Sequence, residues 1–309
     1  MKKTFSSVNS NSGITLAGLY FKNRVGLAAG FDKNADFFEE FSVFGFSFIE
    51  IGTVTPLPQA GNPKPRLFRL KKDRALVNRM GFNNKGINHA VKNLKGREHS
   101  LLLGGNIGKN TLTPNNMAVN DYLRCFRELY DVVDYLVINV SCPNITDLEK
   151  LQDNESLCEI IGSLMKERAC RNTKKPVFLK ISPDLTQKQV DETLELVNNA
   201  GIDGLIVTNT TRQRNNLATN QDLIKSIGLG GLSGAPLKKR SLELVSYICK
   251  QQKFHIPVIA SGGIMVPQDA IDMIEAGASL VQVYTGFIYE GPFLVKEINK
   301  ALESYFKKN

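Results

Sequence analysis

Eight short runs of apolar, β-branched-rich residues recur along the chain: Val25–Ala29, Phe48–Ile51, Leu101–Ile107, Tyr135–Val140, Val177–Ile181, Gly204–Val207, Pro257–Ala260 and Leu280–Tyr284. Such near-continuous apolarity suits strands buried on both faces, as in a parallel sheet. Most segments between them carry a helical period. In Gln187–Ala200 the apolar positions are Val190, Leu194 and Val197; in Ser241–Lys250 they are Leu242, Val245 and Cys249, at i, i+3 and i+7. Strands alternating with helices predict an α/β fold. Eight such units in about this length predict a (β/α)₈ (TIM) barrel, with a doubly wound open sheet as the alternative. Residues 1–24 precede the first run, and within them Ile14–Phe21 has the pattern of a short hairpin that would plug one end of the barrel.

Two gaps are too long for one helix. Thr53–Ser100 is rich in Pro, Gly and Asn, and Asn209–Ile256 contains the glycine-rich stretch Gly228–Gly234. Long insertions in compact domains are commonly functional. In a barrel both would leave the C-terminal ends of strands, the face where active sites are built. With no internal repeat beyond the βα rhythm and no interdomain linker, residues 1–309 read as a single domain.

The polar residues that end the runs carry the chemistry. They are Gly30–Lys33, Gly52 and Thr53, Asn106, Asn139 to Asn144, Lys180, Thr208–Thr210, Gly262 and Gly263, and Tyr284–Gly286. Any one of them alone is compatible with ordinary turn chemistry. As a set they deliver amides, hydroxyls and two lysines to one mouth, where buried polar groups need each other or a ligand. A flat heterocycle bearing carbonyls and ring nitrogens suits that donor set. Ser261–Gly263 and Tyr284–Gly286 also fall where barrels build a phosphate site after strands seven and eight, glycines letting backbone N–H groups approach phosphate oxygens. Three roles are open to Lys180 at this stage: a cation at the pyrimidine edge of a flavin, a Schiff-base lysine, or a structural ion pair.

Composition narrows the alternatives. The chain is 42% hydrophobic and 22% charged, normal for a globular domain with a sizeable core. No stretch has the roughly 18 consecutive apolar residues of a spanning helix. Met1-Lys2-Lys3 leads into Ser and Asn without an apolar segment, so no signal peptide is expected and a cytoplasmic location is. Five cysteines without a C-x-x-C pair argue against disulfides or a zinc site, and Cys125, Cys158, Cys170 and Cys249 are expected as buried small hydrophobes. His89, His99 and His255 lie far apart, so no metal is expected. The net charge of +9 is scattered in short clusters such as Lys238-Lys239-Arg240, without aromatic interleaving. No nucleic-acid partner is expected; attraction of anionic ligands or of a membrane surface is the sharper alternative to a plain solvated surface.

Nine ordered motifs resemble dihydroorotate dehydrogenases, in particular the class 2, quinone-linked branch, from Gly18 to Lys300. They are GLAAGFDKN (26–34), IEIGTVTPLPQAGNPKPRLFRL (49–70), NRMGFNN (78–84), GNIGKN (105–110), INVSCPN (138–144), FLKISPDL (178–185), VTNTT (207–211), GGLSGAPL (230–237) and GASLVQVYTGFIYEGP (277–292). The resemblance implies an FMN enzyme of de novo pyrimidine synthesis that oxidises (S)-dihydroorotate to orotate. Its matching positions place Ala29, Gly30, Lys33, Thr53, Asn106, Asn139, Lys180, Thr208, Ser233, Gly234, Gly262, Gly263, Tyr284 and Thr285 around the flavin. Around dihydroorotate it places Lys33, Asn78, Gly81, Phe82, Asn139, Asn144, Asn209 and Thr210.

The residue before Pro143 is the implied catalytic base, and here it is Cys142. Class 2 members carry Ser there and class 1 members Cys. A thiol of ordinary pKa about 8.5, lowered by a nearby cation, is a competent base near neutral pH, unlike a hydroxyl. Arg69 and Tyr284 match the flavin end of the class 2 quinone tunnel, yet residues 1–24 show none of the amphipathic helix that roofs it. The implied acceptor is a quinone, with fumarate or another soluble oxidant as the alternative, and contact with a membrane is open, as is oligomeric state. A Schiff-base phosphosugar aldolase using Lys180 is the alternative without flavin.

Overall fold

The computed structural model describes residues 12–97, 101–140, 154–251 and 253–308. The strands in chain order are β1 (Ile14–Leu16), β2 (Leu19–Phe21), β3 (Val25–Leu27), β4 (Phe48–Val54), β5 (Leu67–Leu70), β6 (Ala75–Asn78), β7 (Leu102–Ile107), β8 (Tyr135–Asn139), β9 (Val177–Ile181), β10 (Gly204–Val207), β11 (Gly231–Gly234), β12 (Val258–Ser261) and β13 (Leu280–Val283). Eight of them close into a parallel barrel in the order β3, β4, β7, β8, β9, β10, β12, β13 and back to β3. Closure excludes the open-sheet alternative, because β13 pairs with β3 at Val281–Val25 through Val283–Leu27 and no edge is left.

Alternation of side chains explains why the runs look apolar throughout. Along β9, Val177, Leu179 and Ile181 face the helical layer, while Phe178 points inward. β8 divides the same way, with Leu136 and Ile138 outside and Tyr135 and Val137 inside. The interior near the N-terminal ends of the strands is filled by Phe48, Tyr135, Val137, Phe178, Ile206, Ile259 and Leu280, and the expected β1–β2 hairpin seats Leu16 and Phe21 against them.

The helix over Gln187–Ala200 matches its sequence limits. Thr186 caps it in a box with Gln189, Gly201 ends it at φ 72°, and Val190, Leu194 and Val197 are buried. The later helix runs over Lys238–Cys249, three residues earlier than its pattern suggested. Its buried face is Ser241, Leu244, Val245 and Ile248; Leu242 and Cys249 only flank it. Two cysteine expectations fail as well. Cys158 lies opposite the buried Leu157, Ile160, Ile161 and Leu164 of its helix and is exposed, and Cys170 is exposed just past that helix's end.

The two long gaps are not plain loops. They meet in a three-stranded antiparallel sheet in the order β11, β6, β5, in which Gly231–Gly234 from the second gap pairs with Ala75–Asn78 from the first. Among the described residues no helix is long and apolar enough to cross a membrane.

Candidate active site

A cleft of about 950 Å³, counting its open mouth, lies at the C-terminal ends of the barrel strands. That is the size and position expected of a cofactor or substrate site on this architecture. Ala29, Gly30, Lys33, Thr53, Asn139, Lys180, Thr208, Ser233, Gly234, Gly262, Gly263, Tyr284 and Thr285 all line it, as do Asn78, Gly81, Phe82, Asn209 and Thr210. Asn106 is not on the wall; it lies fully buried, hydrogen-bonded to wall residues. Cys142 and Asn144 lie outside the described residues. Arg69 stays on β5 with its guanidinium 5.0 Å from the Tyr289 ring centroid and is not part of the lining.

Lys33 arrives on the loop after β3, and that loop is held from both sides. The Asp32 carboxylate accepts the N–H groups of Asp36 and Phe37 at 2.8 and 2.9 Å. Gly30 N–H donates to Gly52 O at 2.8 Å, and Gly52 N–H to Asp32 O at 3.1 Å, tying the loop to the end of β4. Gly30 itself has φ 100°, with Tyr284 and the Lys33 ammonium where a Cβ would project, at 3.4 and 3.9 Å. Only glycine takes that conformation without strain.

The floor is a chain of polar side chains. Thr53 Oγ1 donates to Asn106 Oδ1 at 2.5 Å, and Asn139 Nδ2 donates to Thr53 Oγ1 at 2.9 Å and to Asn106 Oδ1 at 3.2 Å. Asn209 Nδ2 donates onward to Asn139 Oδ1 at 3.3 Å. Under this layer Glu50, with no solvent exposure, accepts Asn106 Nδ2 and Gln282 Nε2, each at 2.6 Å. The Lys180 ammonium is 3.7 Å from the same carboxylate.

The opposite wall combines glycines and hydroxyls. Ser233 on β11 and Thr285 after β13 face each other with Oγ and Oγ1 2.8 Å apart. Gly263, at φ 83°, packs so tightly on the start of the Lys238–Cys249 helix that a Cβ would fall 2.2 Å from the Lys238 Cα. That helix start is itself fixed by the Lys238 ammonium, 2.5 Å from Asp269 and 2.9 Å from Asp272, whose hydrogen bonds push its pKa up. Burial raises the pKa of Tyr284, keeping its phenol neutral across the physiological range. The three-stranded sheet joins the two sides: Asn78 Nδ2 donates to Gly231 O at 3.3 Å, and Asn78 on β6 and Ser233 on β11 sit on neighbouring paired strands.

Glu50, Gln282, Met80, Leu237, Ile264 and Ala28 belong to the site or its support without having been singled out from the sequence. Glu50 and Gln282 had a signal, each being a lone polar residue inside an apolar strand run at an inward position. The others have none, since an apolar wall residue looks like a core residue.

A closed (β/α)₈ barrel with a glycine-and-hydroxyl ledge beside an amide-lined slot carrying two lysines, all at the C-terminal ends of its strands, has the architecture of a barrel enzyme. The family model for dihydroorotate dehydrogenase matches residues 13–306, and the chain belongs to the dihydroorotate dehydrogenase family. It is 49% identical over 302 residues to a dihydroorotate dehydrogenase (quinone) of Christiangramia forsetii, covering 98% of this chain and 87% of that protein. Against the protein of the same description from Akkermansia muciniphila, identity is 46% over 297 residues, covering 94% and 84%. The crystal structure of ligand-free DHODH from Eimeria tenella superposes with a TM-score of 0.90 at 39% identity, covering 98% of this chain and 90% of that one. Its complex with ferulenol gives 0.88 at 39% identity, covering 96% and 85%.

Proposed function

We propose that this protein oxidises dihydroorotate to orotate with FMN held in the cleft, and passes the electrons to a quinone. The observation that carries the reading is the convergence of Lys33, Lys180, Asn78, Asn139 and Asn209 on one cleft beside a glycine ledge. The donor set fits FMN. Gly262, Gly263, Ser233 and Thr285 suit its phosphate, while Thr53, Asn139, Lys180 and Thr208 suit the polar edge of its ring. The amide oxygen of Gln282 is buried on the same wall with no hydrogen-bond partner among the described residues, an acceptor suited to a ligand N–H.

Lys33 pairs with the substrate carboxylate. Asn78, Asn139, Asn144 and Asn209, with Thr210, satisfy the N–H and C=O edges of its ring, and Phe82 above Gly81 covers an apolar face. Cys142 takes the proton from C5. FMN, when bound, supplies the acceptor for the hydride leaving C6. The relatives' quinone designation supports a quinone over a soluble oxidant, and family membership favours this reaction over the aldolase chemistry of Lys180.

The test is direct. The purified protein should be yellow with FMN in its acid supernatant, and its absorbance near 450 nm should bleach on anaerobic addition of dihydroorotate. A quinone analogue should restore the colour faster than fumarate does. Cys142→Ala should keep FMN and lose flavin reduction by about two orders of magnitude or more, the usual contribution of a general base. A colourless protein, or bleaching unaffected in Cys142→Ala, would remove the cofactor or the base respectively.

A further inference from the structure

We propose that Glu50 is a positioning residue that sets both the charge balance and the hydrogen-bond direction of the floor beneath the bound flavin, acting through Lys180 and Asn106. The proposal rests on the FMN reading above.

Glu50 is the fourth-strand residue that faces into the barrel one layer above Phe48, and its carboxylate has no solvent access. A buried carboxylate is tolerated only when paired and hydrogen-bonded. Both conditions are met here from three different strands: Asn106 on β7 and Gln282 on β13 each donate at 2.6 Å, and Lys180 on β9 stands at 3.7 Å. Tyr135, in the aromatic layer below, has a buried hydroxyl whose pKa is raised first by burial and then by the Glu50 charge.

Two consequences follow from the chemistry of the carboxylate. The first is direction. A carboxylate only accepts, so Asn106 must turn its NH₂ toward Glu50 and its oxygen away. That oxygen then accepts from Thr53 and Asn139, which turns the Asn139 NH₂ downward and leaves its oxygen to take the Asn209 proton. At the far end Thr210 N–H donates to Asn209 Oδ1 at 2.8 Å. Every donor in the chain points from the substrate side toward Glu50, and a reversed Asn139 would set two amide oxygens against each other.

The second consequence is charge. Lys180 on the cleft wall would favour the electron-rich reduced ring, and a carboxylate 3.7 Å from its ammonium offsets that pull. Glu50 therefore holds the flavin potential down, which keeps the reduced cofactor able to give its electrons onward.

The experiment uses the wild-type holoenzyme and Glu50→Gln, which keeps shape and removes charge. Glu50→Gln should retain FMN, and its midpoint potential should rise by at least about 30 mV, a tenfold shift in the two-electron equilibrium. Retained FMN with a potential within about 10 mV of wild type, on the same scale, overturns the proposal. Should Glu50→Gln fail to fold, neutron diffraction on the wild-type holoenzyme decides. The expected result is no deuterium on the Glu50 carboxylate and the Asn139 amide deuteriums directed at Thr53 and Asn106; a protonated Glu50 or a reversed Asn139 overturns it. A wild-type protein without FMN would defeat the functional reading instead, so the two failures are distinct.

Discussion

Lys33 reaches the cleft from a loop whose far side is fastened by Asp36, a residue that does not line the cleft. Burial alone would raise the Asp36 carboxyl, but His89, Lys85 and Asn34 outweigh it and hold the pKa down at about 2 against an ordinary 3.8. Its oxygens meet His89 Nε2 at 2.8 Å, Lys85 Nζ at 2.9 Å and Asn93 Nδ2 at 2.9 Å, pinning the loop to the helix over Ile87–Leu94. A carboxyl whose folded pKa lies below its unfolded one stabilises the fold fully above the unfolded value and loses that contribution as pH falls through the folded one. Asp36→Asn should therefore lower Tm by about 2 °C near neutral pH, corresponding to about 1 kcal/mol for a partly exposed network. The gap should close between about pH 4 and pH 2, which thermal unfolding across that range checks. Lys33 itself was legible in the sequence because GFDKN is a recognisable motif. Asp36 was not, because nothing along the chain says that residues 36, 85, 89 and 93 meet.

At the scale of elements, the strands and the hairpin could be read from periodicity, since burial on both faces leaves an apolar run and a tight turn leaves a short gap. The hairpin's function is packing. Phe21 is fully buried with its ring centroid 5.2 Å from that of Phe48, edge to face, at the barrel end opposite the cleft. Phe21→Ala should cost about 3 kcal/mol or more through the cavity it opens. Thermal unfolding should show the loss, while titration of FMN into the unfolding-resistant fraction should give an unchanged Kd, because the cleft lies beyond the Phe48 layer. The three-stranded sheet was illegible for the opposite reason. Its strands have four residues each, β6 pairs with nearby β5 on one side but on the other with β11 from a segment far away in sequence, and an antiparallel excursion among parallel strands carries little local signature.

At the scale of the whole molecule, the cleft exists because closure brings the ends of eight strands to one ring and the two excursions stand over it. Leu205–Val207 of β10 pairs with both β9 and β12, so Lys180, Thr208 and Ser261 are neighbours although 81 positions separate the first from the last. The amino-acid sequence by itself determined which segments become strands and helices, which faces they bury, and which residue types wait at the strand ends, because periodicity and turn chemistry are local properties. It also carried the family, in motifs whose order survives. Only the tertiary structure decided that the barrel closes rather than stays open, that Asn106 supports the wall instead of forming it, and that Glu50 and Gln282 meet beneath the floor. Those outcomes depend on distances between residues remote along the chain, and such distances are set by how whole layers pack.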